Sequence, residues 1–329
     1  MSTPPLNGYP SVEQYRDRSG WLTAFGIFEI IIACVIVGFI GLVALSLVIG
    51  ARVPNQPAMP WRMMMQVVVG YAGASVFFVV MGIGSIQARR WARSLMLAVS
   101  WLWFLGGAVG MLVYAFMLPR MFKQTPGPEV PENVLLIMTV FILVIMFAIF
   151  VVLPLIMLMF YRAPSVKATC ERRDPVPRWT DHLPLPMLVL FVMLAAGTVS
   201  FFMMAFTMPY VALFGRFITG WIGTVACLAL AGWWAYLSWG TYRLRISSWW
   251  ATLISMIVLS LSASFTFLRG DATKMYTEMG IPAGQSAMSA AMLRSPVFVG
   301  IMMLGIAAYI GFLVFLRKYY GPAPAAQAM

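Results

Sequence analysis

A single carboxyl group, that of Glu29, stands inside a long apolar run of this 329-residue chain, and it is the first candidate for chemistry. Eight residues beyond Trp21, it lies roughly 12 Å along a helix. A charge at the centre of a bilayer costs about 2.5–3.5 kcal/mol on insertion scales, and less off-centre. An acid in this place therefore needs a partner or a proton. Arg89, Arg90 and Arg93 cluster at the break after another run and are the candidate partners. Paired with one of them, Glu29 would be a structural lock, and this is the reading we favour. An ion or proton site is the functional reading of the same residue.

Methionine supplies the second candidate. Of 27 methionines, many fall on one side of the expected membrane, and Met63, Met64, Met65, Met203, Met204 and Met208 form its lip. Thioethers are soft ligands that select Cu(I), yet methionine is also the flexible filler of apolar contact surfaces. Without accompanying Cys or His, the contact-surface reading is preferred, and neither metal nor cofactor is expected.

Other catalytic chemistry finds no footing. The sequence has no HExxH, GxSxG or Walker motif, so no known metal, nucleophile or phosphate scaffold is signalled. Gly82-Ile83-Gly84 lacks the third glycine of a dinucleotide loop. The one histidine, His182, follows Asp181 and reads as a solvated neighbour pair at an apolar run's entrance. Cys34, Cys170 and Cys227 form no CxxC pair, which leaves no redox or zinc pattern. The chain is expected not to be an enzyme.

The elements that must carry these residues follow from hydropathy. Sixty-two per cent of residues are hydrophobic and only 10% charged, against about a quarter charged in soluble domains. Eight apolar runs are read as spans: Trp21–Gly50, Arg62–Ile86, Trp91–Leu118, Val134–Tyr161, Leu185–Met208, Phe214–Trp239, Ser248–Leu268 and Pro296–Leu316. About 20 apolar residues suffice for a helix to cross the roughly 30 Å hydrocarbon layer. Only helices and closed barrels satisfy their backbone there. The fold class is an all-α polytopic membrane protein, and its first run is too long for a cleavable signal.

Orientation comes from the basic residues. With eight spans, fourteen of the 22 Lys and Arg fall on the side of both termini and eight on the other. Both termini are thus expected in the cytoplasm, with the protein multi-pass in the cell membrane. The net charge of +12 sits in the breaks as topology signals do, so no nucleic-acid partner is expected. No Asn-x-Ser/Thr sequon occurs, which favours a bacterial source.

An offset of 158 residues superposes two landmarks, a Trp after a short basic turn and a Tyr before a Gly- or Ala-Pro step. It suggests two four-helix repeats, residues 21–164 and 185–322, parallel because each holds an even number of spans. Residues 1–20 and 323–329 would be tails, and 165–184 a basic linker. Within the linker region Pro164 opens a short helix through Arg173 that Pro175 stops. The offset sets Met187 opposite Glu29, so the acid is not duplicated. Gly106/Gly110 and Gly70/Ala74, each four apart, read as packing faces.

With almost no polar machinery in the spans, the expectation is a non-enzymatic integral membrane protein. It would act as accessory subunit, scaffold or assembly factor, with membrane lipids and other membrane proteins as partners. A small-solute or ion transporter or channel built from two parallel repeats is the alternative.

Overall fold

The computed structural model describes residues 17–50, 61–124, 131–270 and 295–320, together with residues 273, 276, 277, 290, 291 and 293. It is nearly all helical, and eight of its helices are long and apolar enough to cross a membrane. They are labelled α1 (Ser19–Gly50), α2 (Trp61–Ile86), α3 (Arg90–Gln124), α4 (Glu132–Arg162), α5 (Leu185–Thr207), α6 (Gly220–Tyr242), α7 (Ile246–Arg269) and α8 (Pro296–Leu316). The linker helix forms over Pro164–Arg173 as the sequence suggested, with its proline in the first turn. The two expected tails lie almost wholly outside the described residues.

Two helix pairs, α1 with α2 and α5 with α6, make the closest partnerships. Gly26 and Gly82 explain the first: a methyl added to either would sit 2.6 Å from the other's carbonyl oxygen. In the second, Gly197 makes room for the Trp234 indole. Each pair anchors a core. One gathers Leu22, Phe78, Met81, Met96, Met157 and Tyr161. The other gathers Met187, Leu190, Leu194, Trp234, Trp249 and Leu313. Leu95 and Trp101 of α3 pack against both, as does Leu185 of α5, so α3 is the element the cores share.

The turns α2–α3 and α6–α7 are built alike. Ala88 and Leu244 take left-handed backbone, at φ +53° and +52°. Arg89 N donates to Gly84 O at 2.9 Å, and Arg245 N to Gly240 O at 3.1 Å. Ala88 N reaches Ser85 O, and Leu244 N reaches Thr241 O, which completes a Schellman cap in each turn. Gly84 and Gly240 then let the next helix start close by, where a methyl would lie 2.5 Å from Ala92 Cβ and 2.6 Å from Ser248 Cβ.

Two departures from the sequence reading have local causes. The sixth span begins at Gly220 rather than Phe214, because residues 210–219 form a β-hairpin, β1 (Tyr210–Leu213) and β2 (Arg216–Thr219), paired antiparallel. Its tip, Phe214 at φ +40° and Gly215 at +89°, has the doubly left-handed backbone of tight hairpins. Ser262 and Thr266 of α7 receive the tip's N–H groups at 2.9 Å each. The second departure is a π turn, Ala148–Val152, inside α4. Pro154 has no N–H to give to the Phe150 carbonyl, and the wider turn absorbs the mismatch.

The last helix is fastened at one end. At its C-terminus Arg317 N bonds Val314 O, a tightened turn, and the Trp249 indole donates to Leu313 O at 2.7 Å. Arg317 stacks over Trp249 and Trp250, 5.5 and 5.9 Å from the ring centroids. Tyr320 O–H donates to Thr241 Oγ1 at 3.2 Å.

Candidate functional site

Glu29 lies ten residues into α1, fully buried at 0% exposure. The glycine contact between α1 and α2 brings it against the end of α2, where Ser85 is also buried. Tyr161, in the last turn of α4 and 0% exposed, arrives from the third side. Tyr161 O–H donates to Glu29 Oε1 at 2.5 Å. Ser85 Oγ lies 3.1 Å from Glu29 Oε2 and 2.8 Å from Tyr161 Oη. Three helices from distant parts of the chain thus meet in a triangle of oxygens able to hold and pass a proton.

The surroundings are apolar. Phe25 stacks on Phe160 with centroids 3.8 Å apart and meets Tyr161 edge-on at 6.1 Å. The linker helix roofs the site: Val166 and Cys170 are buried in the same core as Tyr161, and Thr169 Oγ1 accepts Arg18 N–H at 3.1 Å. Burial pushes the Cys170 thiol up to about 11, against a smaller opposite pull from Arg93. It is therefore a neutral thiol at physiological pH.

Two of the three arginines expected to lock Glu29, Arg89 and Arg90, are engaged elsewhere. Arg89 lies 3.9 Å from Asp174. Arg90 reaches Glu171 at 3.5 Å and Asp181 at 3.2 Å. Arg93 Nε is buried with no hydrogen-bond partner among the described residues. The linker folds back over the start of α3 and brings its own acids, so the Arg89 and Arg90 guanidinium groups meet carboxylates outside the span. Asp174 is the hub. It is 3% exposed, accepts from Arg178 at 2.9 Å and from the Arg90 backbone N–H at 3.4 Å. The hydrogen bond from Arg178 holds its carboxyl below the usual aspartate range. Asp181 accepts the Arg178 backbone N–H, and His182 beside it is exposed.

The second half has a counterpart to part of the site. Thr241 occupies the turn position of Ser85, three residues before the left-handed residue, and it too is bonded by a tyrosine, Tyr320. No acid joins them: the hydroxyl and tyrosine pairs align at offsets of 156 and 159 rather than 158, and Met187, opposite Glu29 at 158, is fully buried in the second core. Sequence reading used Tyr161 only as a landmark and passed over Ser85. The signal was present in a hydroxyl shortly before each basic turn, Ser85 and Thr241.

Comparison with protein-family models, curated proteins and solved structures gives no match. Function must be argued from the geometry.

The methionines of the expected lip do not share one environment. Met204 packs inward onto Ala205, Val211 and Cys227, Met65 is exposed, and Met64, Met203 and Met208 are half-buried. The side chain of Met63 lies outside the described residues. The glycines read as packing faces also behave differently: a methyl on Gly70, Gly106 or Gly110 would meet nothing within 4 Å.

Proposed function

We propose that this chain is a non-enzymatic integral membrane protein that works by packing against other membrane proteins, as accessory subunit, scaffold or assembly factor. The observation that carries the reading is the outer part of α3 and α4. From Glu132 to Val152, no side chain of α4 is fully buried. Beside it, Gly106 and Gly110 of α3 stand open in an apolar groove of about 300 Å³ lined also by Trp103, Tyr114 and Phe150. Small residues on a membrane helix admit a second helix to close range, and among the described residues none lies within 4 Å of a methyl at Gly106 or Gly110.

The test is purification from native membrane in mild detergent, with a photo-crosslinker at Gly110. A co-migrating protein that crosslinks there and is lost from Gly110→Trp, in a variant of unchanged thermal stability, is the expected result. Crosslinks to lipid alone would overturn the reading.

A two-half transporter is the second reading, favoured by the matched Schellman turns and the paired tyrosine–hydroxyl contacts. They are what two parallel repeats would leave behind. Against it, hydroxyls that could line a passage are spent inside the fold: Ser75 on Ala33 O, Thr198 on Leu194 O, Ser255 on the Trp233 indole. Residence in the cell membrane of a bacterium, with both termini cytoplasmic, belongs to the same proposal: the orientation rests on the fourteen-to-eight division of basic residues and the source on the lack of an Asn-x-Ser/Thr sequon.

A further inference from the structure

We propose that Glu29 carries a proton and closes, with Ser85 and Tyr161, a ring of three hydrogen bonds, so that the ends of α1, α2 and α4 meet on a proton-binding site. The argument is a count of hydrogens. Three oxygen–oxygen contacts, of 2.5, 2.8 and 3.1 Å, need three hydrogens. A serine and a tyrosine each bring one, and a carboxylate brings none. With the acid ionised, one contact would set lone pair against lone pair in a site excluded from water. With the acid protonated, each group donates once: Glu29 Oε2–H to Ser85 Oγ, Ser85 to Tyr161 Oη, and Tyr161 to Glu29 Oε1. Closed chains of this kind strengthen one another in a low dielectric.

Charge leads to the same assignment. A buried carboxylate needs a cation or a dense set of donors, and the partners of Glu29 among the described residues are the two hydroxyls. The titratable groups around it offer nothing positive. From α4 it meets Tyr161, and the linker helix places Cys170 behind that phenol. From α2 its hydrogen-bond partner is Ser85, and Arg89 is turned to Asp174. Arg93 of α3 faces Cys170, Glu171 and Asp181. At the start of α1, Asp17 lies 3.8 Å from Arg173.

Loss of the proton to water at this end of the bundle would break one of the three contacts. The second half shows what remains: Thr241 and Tyr320 keep a single hydroxyl contact without an acid. Proton occupancy of Glu29 thus sets how firmly α4, and the linker helix packed beside Tyr161, are held to α1 and α2. This inference is independent of whether the protein has partners.

Infrared difference spectroscopy of the full chain in lipid tests it. At neutral pH the wild type should show the C=O stretch of a protonated carboxylic acid, and Glu29→Gln should lose that band. The glutamine amide can donate to Ser85 and accept from Tyr161 as the neutral acid does, with one N–H to spare, so Glu29→Gln should keep most of its unfolding temperature at neutral pH. It should also lose the alkaline destabilisation of the wild type. An absent acid band, or a band unaffected by the substitution, overturns the proposal. Should Glu29→Gln fail to accumulate, Tyr161→Phe serves: removing the phenol donor from Oε1 must move the acid band to higher frequency, and an unmoved band overturns the proposal equally.

Discussion

Asp174 is only 3% exposed, yet it gathers the Arg178 and Arg89 guanidiniums and the first backbone N–H of α3. Replacing it by asparagine removes the charge while keeping the shape. The two guanidiniums are 39% and 41% exposed and recover water, so the loss falls mainly on the charge-assisted hydrogen bonds. Discounted for solvent, Asp174→Asn should cost about 1–2 kcal/mol, read from chemical or thermal unfolding. Its pH signature has a definite sign. A carboxyl held below its ordinary value contributes stability above the ordinary carboxylate range, and that contribution disappears as pH falls through the lower folded value. Acid unfolding of Asp174→Asn should therefore be shallower than that of the wild type. Equal acid profiles would remove Asp174 as the hub. Sequence showed this site only as a surplus of charges in a linker. Which arginine meets which acid depends on how the linker folds over α3, and no spacing rule encodes that.

At the level of elements, glycine spacing misdirects. Gly106 and Gly110, four apart, have the pattern of a helix contact, but the contact within the chain is at Gly107. There α3 presses its backbone onto the Phe150 carbonyl, which Pro154 has left without an i+4 N–H. A methyl on Gly107 would overlap that carbonyl, and both partners are backbone, so neither yields cheaply. Gly107→Ala should lower stability by about 1–3 kcal/mol. Gly106→Ala, facing open space, should leave unfolding of the isolated protein within about 0.5 kcal/mol of wild type. Similar losses in both would reassign the α3–α4 contact. The hairpin was hidden for a related reason: Tyr210–Leu213 is as apolar as the helix after it, and only Gly215 marked the turn. The linker helix was legible because Pro164 and Pro175 bracket it.

For the whole molecule, hydropathy located eight long helices to within a few residues, except at the sixth, because membrane length constrains a helix more than packing does. The site was half legible: Glu29 stood out by its cost, whereas its partners were chosen by the way α4 returns to α1 and α2. The proposed orientation places residues 126 and 284 on the side opposite the linker, so single cysteines at Pro126 and Gly284 should react with an impermeant maleimide added outside cells. Labelling of either only after lysis would invert the topology. The fastening of α8 has a consequence for biosynthesis. Two of its anchors, Arg317 and Tyr320, follow the span they secure. A ribosome therefore delivers the whole apolar helix to the bilayer before the arginine that stacks on Trp249 and the tyrosine that bonds Thr241 have emerged. Assembly around α8 finishes after its insertion, as a step that waits for the turn at Arg317–Tyr319.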